Sequence, residues 1–286
     1  RSRADAAYRQ RFAERFALQA ITPAQQGGLL VHAVSMGEVV ASNNPAYPVG
    51  TMVRAFATWS DHYVIGADAL GLEVVHPAPG NWSGTLLNGL LALDPQAVML
   101  PRAGIVHRLD KDTSGLMIVA RTRLAMDALV AMIAEREVHR EYLAVAYRKW
   151  SGTPVRDIVA AIGRDYRNRL RMAVVDLERL PGKEAHTTFE CLSSQEEACL
   201  VQCTLHTGRT HQIRVHMAWI GHPLVADTLY GGGNAAGMQR QALHAYRLAL
   251  VHPVTGQSMV FRAPLPDDLS HALAEWGLSY NETTMA

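Results

Sequence analysis

The chain has 286 residues, 49% apolar and 19% charged, ordinary figures for a globular protein of one large or two modest domains. With 27 basic against 26 acidic residues the formal net charge is +1, so a nucleic-acid partner would have to meet a local basic face rather than a global excess. No apolar run approaches the ~18 residues of a spanning helix, and Cys191, Cys199 and Cys203 fit neither a disulfide framework nor a CxxC zinc pattern; a cytoplasmic protein without a membrane anchor is expected.

Residues 4–19 show helical spacing, with Tyr8, Phe12 and Phe16 on one stripe, and this Arg-rich start lacks the apolar core and cleavage site of a signal peptide. Gly27-Gly28 breaks the chain, and residues 29–34 read as a buried strand. Residues 43–62 have no consistent period and contain Asn43-Asn44-Pro45 and Pro48-Val49-Gly50. They mark a junction between an N-terminal segment, 1–62, and a larger domain, 63–286. Residues 85–93 and 122–135 suit helices, and 116–120 an apolar strand. Strand-like segments follow at 142–147, 185–192, 199–206, 243–250 and 258–262. Strands that do not alternate regularly with helices point to an α+β sheet domain.

The densest polar cluster lies at 104–116. There an apolar approach meets His107, Arg108, Asp110, Lys111 and Asp112, and a second apolar strand follows. A polar turn set between buried strands is where a rigid scaffold presents reacting groups. A carboxylate in that position, Asp110, needs a cationic or hydrogen-bonding partner; a structural turn aspartate is the plain alternative. Asp110 and Asp112 also spell a DxD, and on a strand they would share a face able to hold a divalent metal.

A second cluster, 206–216, holds His206, Thr207, Gly208, Arg209, Thr210, His211, Gln212, Arg214 and His216. Its histidines stand five apart and share no face of a helix or strand, so a zinc site is not expected. Arginines and hydroxyls beside Gly208 suit an anion, either an RNA phosphate or a buried carboxylate, unless the segment is an exposed strand with ion pairs. Two basic groups are either RNA-facing or solvated surface. One is Arg164, Arg167, Arg169 and Arg171 around Asp165; the other is Arg102, Arg108, Lys111, Arg121 and Arg123 around the first cluster.

Residues 104–121 resemble the signature of the RluA family of ribosomal-RNA pseudouridine synthases, in which His-Arg-Leu-Asp carries the catalytic aspartate. Residues 206–216 resemble a later motif of the same family, which 221–232 continues. Glu141-Tyr142-Leu143-Ala144-Val145, Gly163-Arg164-Asp165, and 243–245 with 250–256 match as well. The resemblance covers residues 74–270 and is greatest to RluD-type members that act on large-subunit rRNA. It implies an α+β synthase fold: a mixed, mostly antiparallel curved sheet with flanking helices and a central cleft. It also implies isomerisation of uridine to pseudouridine in RNA, 23S rRNA or a precursor ribosomal subunit, by a monomer. That reaction involves no redox change or external group, so neither metal nor other cofactor is expected.

Position by position, the resemblance implies Asp110 as the catalytic carboxylate and Tyr142 as the residue that packs on the base and takes part in proton removal. It implies Arg214 as the partner of Asp110, with Arg209 the other candidate, and Arg108 at the flipped-out base. His107, Thr210, His211, Gln212 and Arg164 are expected to face RNA. An RNA-binding protein of the same fold with weak or no catalysis is the alternative reading.

The N-terminal quarter departs from this pattern. The family's small basic S4-type domain is not seen, and a strand ending in Asn-Lys-Pro-Ala-Gly is replaced by 64–77, where Glu73 looks inserted. A one-residue slip in a strand turns its faces over, so weaker or bulged packing is expected there. Residues 8–42 instead resemble the start of bacterial Kdo transferases, whose Ser-x-Gly-Glu glutamate, the proposed base, falls at Glu38. The sugar-nucleotide domain of those enzymes has no counterpart, and the plain alternative for Glu38 is the first turn of a helix. A mosaic chain is one implication.

Overall fold

The computed structural model describes residues 85–281 apart from Arg169, together with the backbone of 31–32, 37–38, 52–53 and 62–66. The helix expected at 4–19, the slip at Glu73 and the cation at Arg169 lie outside the described residues. In chain order the strands are β1 (Val31–His32), β2 (Gly37–Glu38), β3 (Met52–Val53), β4 (His62–Gly66), β5 (Ser114–Ala120), β6 (His139–Tyr147) and β7 (Val155–Val159). They continue with β8 (Ile162–Arg164), β9 (Met172–Val174), β10 (Gly182–Lys183), β11 (His186–Ser194), β12 (Ala198–Leu205), β13 (Leu243–Val251) and β14 (Ser258–Arg262). The α-helices are α1 (Leu86–Leu93), α2 (Arg123–Ala134), α3 (Gln212–Trp219) and α4 (Asp267–Glu275). This is the α+β class expected from the sequence. Glu38 pairs with Met52 in an antiparallel two-strand ladder rather than opening a helix. No described helix is long and apolar enough to cross a membrane.

The chain divides into two compact units. The first comprises the described residues up to Val138 with Leu248–Ala263. Its strand order is β1-β4-β5-β13, with β14 beside β13. β1 and β4 run parallel, while β4 and β5 are antiparallel with His62 opposite Ala120. Every residue of β5 is buried, which is why 116–120 reads as an unbroken apolar run rather than an alternation. One face of β5, Leu116, Ile118 and Ala120, packs on Ala125, Met126, Leu129 and Met132 of α2 and on Met259 and Phe261 of β14. Leu129 is fully buried; truncating such a side chain to Ala typically costs about 2–5 kcal/mol.

Both helices of this unit start at caps the sequence supplies. Thr85 and Asn88 form a reciprocal capping box on α1, and Thr122 Oγ1 accepts the Ala125 N–H at 3.2 Å on α2.

The second unit, His139–Arg247 with the described residues from Pro264 onward, has the order β13-β6-β12-β11-β7. β6, β12, β11 and β7 are successively antiparallel. One face of this sheet, including Leu143, Val145 and Leu200, packs on Leu269, Ala272 and Leu273 of α4. α3 lies over the opposite face. His216 of α3 and Thr187 of β11 are hydrogen-bonded, and both are fully buried. A smaller sheet, β10-β8-β9, packs Ile162 against Ala185 and Val215. The three cysteines are free, and burial pushes the Cys199 thiol up to about 12.

Candidate active site

In the first unit the polar cluster is a turn clamped at both ends by β5. Ile105 forms an antiparallel bridge with Val119, and the Ile118 N–H donates to His107 Nε2 at 2.9 Å. His107 was expected to face RNA; its ring nitrogen instead fastens the incoming segment to the buried strand. The approach is tight one residue earlier as well. Gly104 has φ +82°, and a Cβ there would stand 1.9 Å from the Ala120 carbonyl oxygen, so no other residue fits.

The Thr113 N–H then donates to the Asp110 carbonyl at 3.1 Å, closing a turn in which Asp112 takes φ 67°. Asp and Asn tolerate that left-handed conformation better than most residues. The DxD pair therefore sits in a turn, not on one face of a strand, and the shared-face argument for a metal falls away. Arg108, Lys111 and Asp112 are exposed, Asp110 is half-buried, and Leu109 between them is buried. The turn presents a carboxylate on a backbone fixed from both sides.

The second unit carries the other expected residues. Tyr142 lies on β6 opposite Cys203 and is buried. The 206–216 segment is neither an exposed strand nor a zinc cage: it is a loop followed by the helix α3. Its three histidines go to three places. The His206 ring stacks on His186 with centroids 4.0 Å apart. His211 Nδ1 lies 2.7 Å from Tyr230 Oη. His216 Nε2 lies 3.0 Å from the Ala160 carbonyl, and burial lowers its pKa.

Gln212, expected to face RNA, is 3% exposed and turned inward. Its Oε1 accepts from Thr207 Oγ1 at 2.7 Å and from the Arg209 N–H at 2.9 Å. Its Nε2 donates to the His186 carbonyl at 2.9 Å and to Thr187 Oγ1 at 2.8 Å. All of the amide's usual hydrogen-bonding capacity is spent inside the protein, so Gln212 shapes the loop. Thr210 is exposed on that loop, and Arg209 Nε donates to the Glu184 carbonyl at 2.8 Å. Arg164, at the exposed end of β8, stands beside Asp165. The latter accepts from Arg171 Nε at 2.6 Å and the Arg167 N–H at 2.9 Å, which hold its carboxyl below the usual range.

Arg214 is held by a feature the sequence reading left unassigned. Its Nε donates to Asp227 Oδ2 at 2.7 Å and a terminal nitrogen donates to Oδ1 at 2.8 Å. Its guanidinium carbon sits 5.0 Å from the Tyr230 ring centroid. Tyr230 Oη also accepts the Met172 N–H at 2.9 Å. Arg214 and Asp227 are buried in one fork-to-fork pair, whose two parallel hydrogen bonds fix the plane of the guanidinium. Asp227 lies thirteen residues from Arg214, and no spacing rule links them; the only signal was its place within the 221–232 match.

Among the described residues one group has ligand atoms close enough for a metal ion: Asp157, His186 and His206, within 4.8 Å of one another. These atoms already form a chain. His186 Nε2 meets Asp157 Oδ1 at 2.9 Å, Thr188 Oγ1 donates to the same oxygen at 2.6 Å, and His206 Nε2 meets Thr188 Oγ1 at 2.8 Å. Bonds from Thr188 and His186 lower the Asp157 pKa. Asp157, His186, Thr188 and His206 are thus joined in one hydrogen-bonded network.

The family model for RNA pseudouridylate synthase matches residues 77–219, half of the chain and both polar clusters. The chain belongs to that family. Among curated relatives of this synthase-family chain is the ribosomal large subunit pseudouridine synthase D of Neisseria meningitidis serogroup A. It is 50% identical over 229 residues, covering 76% of this chain and 59% of the relative. The protein of the same name from Xylella fastidiosa is 49% identical over 230 residues, covering 76% and 67%. The chain thus spans about three fifths of the length of the Neisseria relative. Among solved structures, human RNA Pseudouridylate Synthase Domain Containing 1 is similar with a TM-score of 0.55 at 26% identity, covering 70% of this chain and 83% of that one. The α+β synthase fold implied by the sequence motifs is the fold of this chain.

Proposed function

We propose that this chain isomerises uridine to pseudouridine in large-subunit ribosomal RNA, as a cytoplasmic monomer in which residues 63–286 form the catalytic part. The observation that carries the reading is the Asp110 turn, a carboxylate on a backbone clamped between Ile105 and β5, in a chain of this family. In this reaction the N1–C1′ bond breaks and a C5–C1′ bond forms. N1 gains a proton, and the proton on C5 leaves to solvent. Asp110 acts at the sugar or on its proton, Tyr142 packs on the displaced base and takes part in proton removal, and Arg214 is kept in plane by Asp227. Arg108, Thr210 and Arg164 are exposed cations and hydroxyls suited to the RNA backbone. Arg209 has the same suitability beside Gly208. A target uridine inside a helix must leave its stack at a cost of a few kcal/mol, and stacking on an aromatic ring returns about 1–3 kcal/mol of this.

The test is tritium release from C5-labelled uridine in large-subunit rRNA fragments by the purified full chain. Release above background is expected, and Asp110→Asn, which keeps the shape and removes the charge, should abolish it. No release from any fragment by a folded sample would overturn the reading.

A further inference from the structure

Arg140 precedes Tyr142 by two residues on β6, so both side chains leave the same face of the strand. The residue is only 6% exposed. Its Nε is buried without a hydrogen-bond partner, and among the described residues its guanidinium makes no ion pair. A guanidinium taken out of water without a counter-ion is one of the most unfavourable arrangements a fold can hold. It is also not wedged in by chance, because the chain makes room for it. A Cβ added at Gly208 would stand 3.0 Å from one terminal nitrogen of Arg140 and 3.9 Å from its guanidinium carbon. Gly208 is itself exposed, so on that side only glycine backbone separates the cation from solvent. A buried charge, a backbone kept bare beside it and a surface opening are the elements of an anion site.

We propose that Arg140, beneath Gly208, is a phosphate-binding subsite that takes an RNA backbone phosphate next to the nucleotide packed on Tyr142. The inference rests on the proposed RNA substrate. The planar fork of arginine matches phosphate oxygens, and phosphate is the anion every RNA offers. Two residues along a strand are about 7 Å apart, a span comparable with that between a nucleobase and its backbone phosphate.

The experiment compares the full-length wild type with Arg140→Met, which keeps the aliphatic stem and removes the charge. The probe is a uridine-containing RNA hairpin, made also as a panel in which each member carries one neutral methylphosphonate linkage. Arg140→Met should bind the hairpin about ten- to a hundredfold more weakly, and its log–log salt slope should fall by about one. One methylphosphonate position should weaken the wild type and leave Arg140→Met unaffected. Because the variant removes an uncompensated charge, its thermal midpoint should equal or exceed that of the wild type. A large drop in that midpoint would reveal a protein partner for Arg140 and overturn the proposal. So would a panel in which every position weakens both proteins alike. If the wild type binds no RNA at all, the proposed function fails, and inorganic phosphate decides the anion site by itself. Phosphate then raises the midpoint of the wild type but not of Arg140→Met, or the site is refuted.

Discussion

Asp227→Ala is the sharpest perturbation of the second unit, because it removes one partner of a buried ion pair rather than trimming a surface. The Arg214 and Asp227 side chains are 8% and 1% exposed and share two hydrogen bonds of 2.7 and 2.8 Å. Breaking a buried pair by removing one partner typically costs about 3–5 kcal/mol. The cation–π contact with Tyr230 is worth about 0.5–2 kcal/mol and does not replace the fork. The internal control is Arg123–Asp127, an i,i+4 pair with side chains 68% and 59% exposed, which solvent and salt screen so that it adds little. In urea, with an m-value of about 3 kcal/mol per molar, Asp227→Ala should lower the unfolding midpoint by about 1–1.7 M, while Asp127→Ala barely moves it. Adding Arg214→Met to Asp227→Ala should recover part of the loss, since a buried charge that has lost its carboxylate is gone. A cost below about 1 kcal/mol for Asp227→Ala, or strict additivity of the two changes, would refute the buried pair as a coupled unit.

Gly104→Ala should destabilise by about 2–5 kcal/mol in the same urea assay, combining a positive φ with a contact that backbone must yield to; a neutral result would mean that a Cβ at position 104 stands farther than 1.9 Å from the Ala120 carbonyl oxygen. His216 gives a pH test. Burial lowers its folded pKa below the unfolded ~6.5, so the unfolded state binds the proton first. Its stabilising contribution is therefore complete above pH ~6.5 and is lost as pH falls from there through the folded value. The geometry gives the reason: Nε2 lies against the Ala160 carbonyl, and Nδ1 faces a Thr187 hydroxyl that already accepts from Gln212. A proton on Nδ1 would remove the acceptor to which the Thr187 hydroxyl donates and place a charge in a buried setting. Replacing His216 with Gln should flatten the stability–pH curve between pH 5 and 7, and an unchanged slope would exclude this residue as its source.

The helix and strand pattern was legible where one physical signal governed. Thr85 and Thr122 precede apolar periodic runs, and both cap the helices expected there. β12 and β14 fell where β-rich segments stood between turn residues. α3 was missed because Gln212, Arg214 and His216, polar by type, are all buried, so the helix shows no apolar stripe. The turn at Asp110 was legible as a polar insert between apolar runs. Its clamp, His107 Nε2 on the Ile118 amide, was not, because an acceptor role for an imidazole leaves no trace in spacing. Asp227 and Tyr230 escaped for the same reason: a fork-to-fork pair is set by tertiary approach, and no periodicity brings residue 214 to residue 227.

The polar density of the 206–216 segment is thus mostly scaffolding. Gln212 spends its amide on the loop and β11, His216 closes a neutral hydrogen-bond chain beneath the helix, and His211 braces Tyr230. Their joint product is one arginine, Arg214, whose plane is fixed by a carboxylate and an aromatic ring. Arg140 is buried to a similar degree in the same unit but lacks that support. The contrast separates two uses of a buried cation. Where a carboxylate of the chain answers the charge, orientation is secured before any ligand arrives. Where none of the described residues does, the unfavourable charge remains until an anion binds, and the binding energy is correspondingly greater. A near-neutral chain can then meet an anion with one cation kept inside and opened through glycine, in addition to its exposed arginines.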